Sequence, residues 1–448
     1  MPMMRTSLLA SILGLTIGIS GCQQTVKDSQ SAVSPTSTNK SSLVYLDSNW
    51  LDNSYQDYVQ GEPVRQLVVK RLISHADEAL TKGPYSVMDK SHTPPSGDKH
   101  DYISIGPYWW PDPTKADGLP WIKRDGKVNP TSSTGGTDKT IMNEMLFQIS
   151  DLTLAYYYTK DEKYAKHAAL HIKNWFLNPG TRMNPSLTFG QAVPGKSDGR
   201  IYGVIETRWF IRLIDEVTLL TNSAHFSQQD ELKFKAWVSD YLNWLLTNEL
   251  GQGACDAHNN HGTYCEAQVA AYALYTGNKK LAKEYVERIF KHRLSKQVEP
   301  SGAQPDELAR TRPLHYSVFN LEAYYFAALI ADKLGLDYWQ YKIDNGVSLK
   351  TAIDFLLPAI KKEGYWANVK DKKMRRGRLY YFLQYAYQRY GDDKYAQAIE
   401  DLMPLIIKED RSELAQCFLI MPKPDSFTLA LYKQIDPNGD KSKYRCYY

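Results

Sequence analysis

Apolar residues return every three or four positions through most of this chain, and short polar turns separate the stretches that carry them. Phe234, Trp237, Val238, Tyr241 and Leu245 form one such stripe. Leu379, Leu383, Ala386 and Tyr390 form another, and Val64, Val68, Leu72 and Ala76 open an early one just after Pro63. That period belongs to amphipathic helices with a buried face. No convincing series of alternating strands is visible.

The helices recur as hairpins. The segments 155–165, 271–282 and 386–396 share an aromatic helix end, a short polar turn and a fresh helix start. Gly277 and Gly391 suit the left-handed position after a helix, and the Asn or Asp that follows suits the next N-cap. Looser versions are Thr221-Asn222-Ser223, which leads to Ser227 as a cap, and Leu334-Gly335-Leu336-Asp337. The turns lie roughly 55–65 residues apart, the length of two helices and their connections. A hairpin cannot bury its apolar face alone, so neighbours must stack. The pattern predicts an all-α fold, an incomplete (α/α)6–7 toroid with long loops lining a cleft; an open solenoid is the alternative. The Gly/Pro-rich inserts Lys90–Thr137 and Asn178–Tyr202 would sit at one rim and line the site.

The N-terminus departs from this pattern. After Arg5, the apolar run Leu8–Ile19 is too short for a stable membrane span and ends in Ile19-Ser20-Gly21-Cys22, which looks like a bacterial lipobox. The expected organisation is a signal peptide at 1–21, a polar tether at 22–42 beginning with a lipidated Cys22, and one toroid domain at 43–448. Gln23 is compatible with sorting to the outer membrane, facing either periplasm or exterior. Net charge is +4, or +3 once Arg5 leaves with the signal, which is too mild to argue for nucleic acid. The cluster Lys372-Lys373-Met374-Arg375-Arg376 suits either an anionic glycan or solvent. The 32 Tyr and 10 Trp mostly serve the core, with an excess that suits a carbohydrate cleft. A monomer is expected.

The candidate chemistry sits in two short runs, His258-Asn259-Asn260-His261 and Arg310-Thr311-Arg312-Pro313-Leu314-His315-Tyr316. They offer an amide, imidazoles, guanidinium groups and a phenol. β-Elimination from a uronic acid chain needs that set: one group neutralises the sugar carboxylate, another takes the C5 proton, and another protonates the leaving oxygen. Asn260 with Arg310 or Arg312 suits the first task, and His261 and Tyr316 suit the proton transfers. Other readings compete. Cys255, His258, His261 and Cys265 have zinc-compatible spacing, while Cys255 and Cys265 alone are candidates for a disulfide. An inverting glycoside hydrolase would use Asp256 or Glu266 with Asp306 or Glu307. A non-catalytic glycan-binding lipoprotein is the third.

At these residues the chain resembles the alginate lyase superfamily of α/α toroid polysaccharide lyases. The Asn260-His261 pair and the Arg312-Pro313-Leu314-His315-Tyr316 run carry the match. The segments 102–113, Asp125-Gly126-Lys127-Val128-Asn129-Pro130 and Gly203-Val204-Ile205-Glu206-Thr207-Arg208 look like polysaccharide lyase family 38. The resemblance implies cofactor-free, metal-independent β-elimination on alginate or glucuronan. In that family the residues matching His261 and Tyr316 are the acid/base pair. The asparagine matching Asn260 and an arginine neutralise the carboxylate; Arg310 is favoured, because Arg312 precedes Pro313 and is expected to be extended. Tyr108, Trp109, Trp110, Asn259, His315, Arg312, Gln191 and Arg200 are the expected substrate-binding residues, and Glu206 with Arg208 a structural ion pair.

Overall fold

The computed structural model describes residues 43–369, 371, 376–409, 417–424 and 428, with the side chains of 406–409 left aside. The signal segment, Cys22, the tether and residues 372–375 lie outside the described residues.

The helical stripes close into the α/α toroid expected from sequence. Five inner helices follow one another around the ring: Asp138–Thr159, Phe210–Leu219, Asn260–Thr276, Pro313–Lys333 and Leu379–Tyr390. Outer helices pack on them, among them Pro63–Ala79, Glu162–Ile172, Gln228–Thr247, Lys279–Glu287, Leu349–Leu356 and Asp393–Glu409. Three of the inner helices, Asp138–Thr159, Asn260–Thr276 and Pro313–Lys333, are buried on nearly all sides, so their sequences lack a polar face. In Pro313–Lys333 even Ser317, Asn320 and Glu322 are buried. Asn320 Nδ2 finds partners in Gln297 Oε1 at 3.0 Å and Gln304 Oε1 at 2.9 Å, which offsets its desolvation.

Between the last inner helix and the first, the helix Ser48–Val59 fills the ring. Trp50 packs on Tyr385 with ring centres 4.3 Å apart, and the Tyr157 hydroxyl donates to Asp52 at 2.9 Å. Just before it, residues 44–46 run along the buried Asp215. The Asp215 carboxylate accepts the backbone N–H groups of Val44, Tyr45 and Leu46 at 2.6, 3.0 and 2.8 Å. Lys333 Nζ then donates to Leu46 O at 3.1 Å.

The turn signals behave as their chemistry requires. Gly277 and Gly391 hold φ of 93° and 61°, while the first hairpin places Lys160 in the left-handed region at 59°. Ser227 and Asp230 make a reciprocal capping box. The inserts contain short strands that the apolar pattern does not reveal. Ile103–Ile105 pairs in parallel with Phe189–Ala192, and Trp109–Trp110 pairs antiparallel with Ile122–Lys123. Strands this short leave no alternation to read. Among the described residues no helix is long and apolar enough to cross a membrane.

Candidate active site

The His261 loop is held from several directions. Asn259 caps the helix Asn260–Thr276, its side chain accepting the His261 N–H at 3.2 Å. Asn259 therefore touches the cleft as a helix cap first. Gly262 leaves room behind the loop: a Cβ there would stand 1.9 Å from Ala257 O and 2.4 Å from Arg293 Nη1. Through that gap Arg293 donates to Ala257 O at 2.6 Å and Cys255 O at 2.5 Å, while its Nε reaches Glu266 at 2.8 Å. Cys255 and Cys265 form a disulfide with Cα atoms 4.9 Å apart. Both thiols are thereby used, so the four-residue zinc reading fails. His258 instead turns to Asp306, 3.8 Å away, with its side chain 80% exposed.

Asn260 is buried, and its donors are engaged. Its backbone N–H and its Nδ2 both reach Glu307, the amide spanning the carboxylate at 3.0 and 2.8 Å. Glu307 lies on the short helix Pro305–Leu308, just ahead of Arg310. Burial raises its carboxyl above the usual range, against the lowering pull of the Asn260 bonds.

Proline shapes the second run. Pro313 is the first residue of the helix Pro313–Lys333, and Arg312 before it is non-helical at φ −135°, ψ 75°. Arg312 points toward Asp371, 3.7 Å away. Arg310 donates from Nη2 to the Tyr316 hydroxyl at 2.9 Å, and the Tyr108 hydroxyl lies 2.9 Å from the same oxygen. Burial and the Tyr108 contact push the Tyr316 phenol well above its ordinary value, with Arg310 opposing them. The phenol is thus protonated at neutral pH. His261 is pushed down to about 3, first by burial and then by the charges of Arg310, Arg200 and Arg208. It stands as neutral imidazole, edge-on to Tyr202 with ring centres 4.8 Å apart, and its Nδ1 has no hydrogen-bond partner.

The inserts supply the opposite wall. Trp109 and Trp110 are adjacent in one strand, so their side chains face opposite ways. Trp109 lines the cleft, with Arg200 and Lys196 over its ring at 5.4 and 4.8 Å. Trp110 does not line it; its indole N–H anchors the loop on Lys127 O at 2.9 Å. Gln191 adopts φ 53°, an uncommon conformation for a residue with a Cβ. That turn presents both its backbone oxygen and Oε1 to Arg200, each at 2.9 Å. Gly190 and Gly203 bring the two backbones into contact beneath this pair: a Cβ on Gly203 would lie 2.7 Å from Gly190.

One cavity of about 670 Å³ gathers these groups. His261, Tyr316, Asn260, Arg310, Arg312, His315, Tyr108, Trp109, Asn259, Gln191 and Arg200 all line it; of the expected substrate contacts, Trp110 is left out. The lining adds Lys123, Lys139, Arg208, Arg378 and Tyr202, and among its described residues the acidic group is Asp125. Arg208 was expected to pair with Glu206. Glu206 instead takes Lys139 at 3.1 Å and the hydroxyls of Tyr102 and Ser104 at 2.9 and 2.5 Å. Arg208 faces the cleft beside Phe319, its Nε without a partner. Of the basic cluster 372–376, Arg376 is described and is buried on Ala359 O at 2.8 Å; Arg378, beyond the cluster, lines the site next to His315.

The carboxylates proposed for hydrolysis are elsewhere or engaged. Glu266 is bound by Arg288 and Arg293 at 3.1 and 2.8 Å, and with Asp256 and Asp306 it lines a separate cavity. Glu307 is committed to Asn260. The arrangement found is therefore a cationic cleft holding a protonated phenol and a neutral imidazole.

Known proteins resemble this chain in sequence and fold. Residues 86–366 match the family model described as alginate lyase. A crystal structure of an alginate lyase from Bacteroides ovatus is 36% identical, with a TM-score of 0.77, and the match covers 85% of this chain and 98% of that one. Alginate lyase A1-III from Sphingomonas species A1 shares the fold at 15% identity and a TM-score of 0.52, covering 86% and 97% of the two chains. A histidine-to-alanine variant of A1-III complexed with tetrasaccharide aligns at 13% identity and a TM-score of 0.51, covering 79% and 90%. Among curated proteins none matches. The chain belongs to the alginate lyase family and is a polysaccharide lyase.

Proposed function

We propose that this lyase cleaves a 1,4-linked polyuronate, alginate and by extension glucuronan, by β-elimination between C5 and O4. The observation that carries the reading is the Tyr316 hydroxyl, bonded to Arg310, in the same cationic cavity as the His261 imidazole. Arg310 neutralises the carboxylate of the sugar being cleaved. Asn260, whose donors are held by Glu307 in the free cleft, shares this task by turning its amide N–H from Glu307 to the sugar as charge develops on proton loss. Arg200 with Gln191, and Arg312 with His315, take neighbouring sugars, while Tyr108 and Trp109 offer ring faces.

The proton transfers depend on the sugar. In guluronate the C5 hydrogen and O4 leave from opposite faces, so His261 accepts the proton and Tyr316 protonates O4. In mannuronate and glucuronate they leave from one face, so Tyr316 acts first as base and then as acid. The protonation states of the free cleft suit the two-residue route directly. The one-residue route first requires the phenol to ionise. In support, proteins of this fold hold sugar chains: a histidine-to-alanine and a tyrosine-to-phenylalanine variant of A1-III are each complexed with tetrasaccharide. The deciding assay incubates the protein with polymannuronate, polyguluronate and glucuronan, with and without chelator. Growth of ultraviolet absorbance from the unsaturated sugar end is expected; chain shortening without it would mean hydrolysis.

We also infer that the enzyme is a monomer tethered to the cell envelope through a lipid on Cys22. Metabolic labelling with a fatty acid should mark the wild type and not Cys22→Ala; equal labelling of both would end that reading.

A further inference from the structure

Among the described residues lining the cleft, Asp125 is the acidic one, and it sits on the group assigned to the substrate's own carboxylate. Its Oδ1 is 3.4 Å from Arg310 Nη2, the nitrogen that also donates to Tyr316. The pair is accessible, with the side chains 22% and 38% exposed, so nothing buries Asp125 in place. What keeps it there is the next residue. Gly126, at φ +71°, lies so close to Thr311 that a Cβ would stand 2.7 Å from Thr311 Oγ1. That contact seats the loop against the Arg310 run. A second cation is within reach on the other side, Lys123 Nζ at 4.0 Å from the same Oδ1.

We propose that Asp125 is a placeholder: it occupies Arg310 in the empty cleft, yields it to a uronate carboxylate, and turns to Lys123 while the sugar is bound. The proposal rests on the reading that Arg310 takes that carboxylate. The physical argument is competition. A bare guanidinium beside a phenol, in a cleft with several other cations, would repel its neighbours and invite any small anion. An internal carboxylate holds it in geometry and must be displaced by something that binds better. A uronate oligomer, whose other carboxylates engage the remaining cations, meets that condition, and a lone anion does not. Asp125 therefore sets a threshold at this subsite: it weakens chain and isolated acid alike, and only the chain has further carboxylates to make up the loss.

The test is a binding cycle in a His261→Ala background, which removes the base of the two-residue route without touching Asp125 or Arg310. Calorimetry measures a guluronate tetrasaccharide, the sugar that depends on that base, and free glucuronate. Asp125→Asn is expected to tighten tetrasaccharide binding about threefold to fivefold, the scale of an exposed ion pair. Glucuronate should gain at least as much, and both gains should shrink in about 0.5 M salt. In Arg310→Ala the same Asp125 change should do nothing. If Asp125→Asn leaves binding unchanged or weaker while Arg310→Ala still lowers affinity, the placeholder is wrong and the role of Arg310 stands. If Arg310→Ala leaves affinity intact, the role of Arg310 falls, and the placeholder with it. Asp125→Ser repeats the measurement with a smaller side chain, and unfolding temperatures matching the parent show that the loop is still seated.

Discussion

Arg310 reaches Tyr316 twice, donating to the phenol oxygen at 2.9 Å and lying with its guanidinium carbon 3.9 Å from the centre of the ring. On the proposed mechanism, a sugar carboxylate drawn to Arg310 is delivered beside the proton donor, so the charge that binds and the group that reacts act as one unit.

Removing either half should be severe in a different way. Tyr316→Phe keeps the ring and its stacking, so the fold should be unchanged, while kcat falls by about 10²–10⁴. Near-normal turnover in that variant would overturn the mechanism. Arg310→Ala should lower kcat/KM by about 10²–10³. Arg310→Lys should recover only part of it, because one ammonium cannot match the fork that bonds the phenol and a carboxylate together.

The pH response should separate the two routes. His261, held down to about 3, is already neutral throughout the working range, so its titration should leave no acid limb in kcat/KM for guluronate above about pH 5. The Tyr316 phenol is raised, so its ionised fraction grows as pH rises toward that value. The rate on polymannuronate relative to polyguluronate should therefore climb with pH. A ratio that stays flat from neutral to alkaline pH would rule out the phenolate as the base.

Asp215 should matter for stability and not for chemistry. Asp215→Ala strands three backbone N–H groups and is expected to cost about 3 kcal/mol, seen as a lower unfolding temperature. Burial raises the Asp215 carboxyl from its ordinary value to about 6. A raised folded value favours the native state below the unfolded pKa, and that contribution is lost as pH climbs through about 6. The stability gap between wild type and Asp215→Ala should thus be widest near pH 4 and narrow toward pH 7.

Reducing the Cys255–Cys265 bridge, or replacing both residues with alanine, should cost about 2–3 kcal/mol on a chain-entropy estimate for a 10-residue separation. Arg293 and Glu307 still hold the loop, so activity at low temperature should fall less than thermal stability does. A complete loss of turnover on reduction, with the unfolding temperature unchanged, would contradict this.

The sequence made the hairpins legible because periodicity and turn chemistry are local. Phe234, Trp237 and Val238 announce a buried face, and Gly277-Asn278 announces a turn, wherever they fall in the fold. It also made legible that Asn260-His261 and Arg310–Tyr316 belong together, since each run is short and chemically distinctive. What it hid is set by distant partners. Nothing near Val44 hints at Asp215, 171 residues away. Nothing near Asn260 shows that Glu307 will engage its amide. Glu206 and Arg208 invite pairing by proximity, yet residues two apart on a 3-10 turn do not face each other, and each finds a different neighbourhood. Trp109 and Trp110 look equivalent on paper, and one pleat separates their fates.

The touching backbones of Gly190 and Gly203 carry a consequence for how this enzyme can diversify. A Cβ on Gly203 would stand 2.7 Å from the Gly190 main chain, and one on Gly190 3.1 Å from the Gly203 Cα and Leu187 O, so a side chain at either position forces main chain to give way, most of all at Gly203. The platform under Gln191 and Arg200 is therefore costly to reshape. On the proposed role of that pair, new sugar preferences along this side of the groove come more readily from swapping the side chains it displays than from altering its contour.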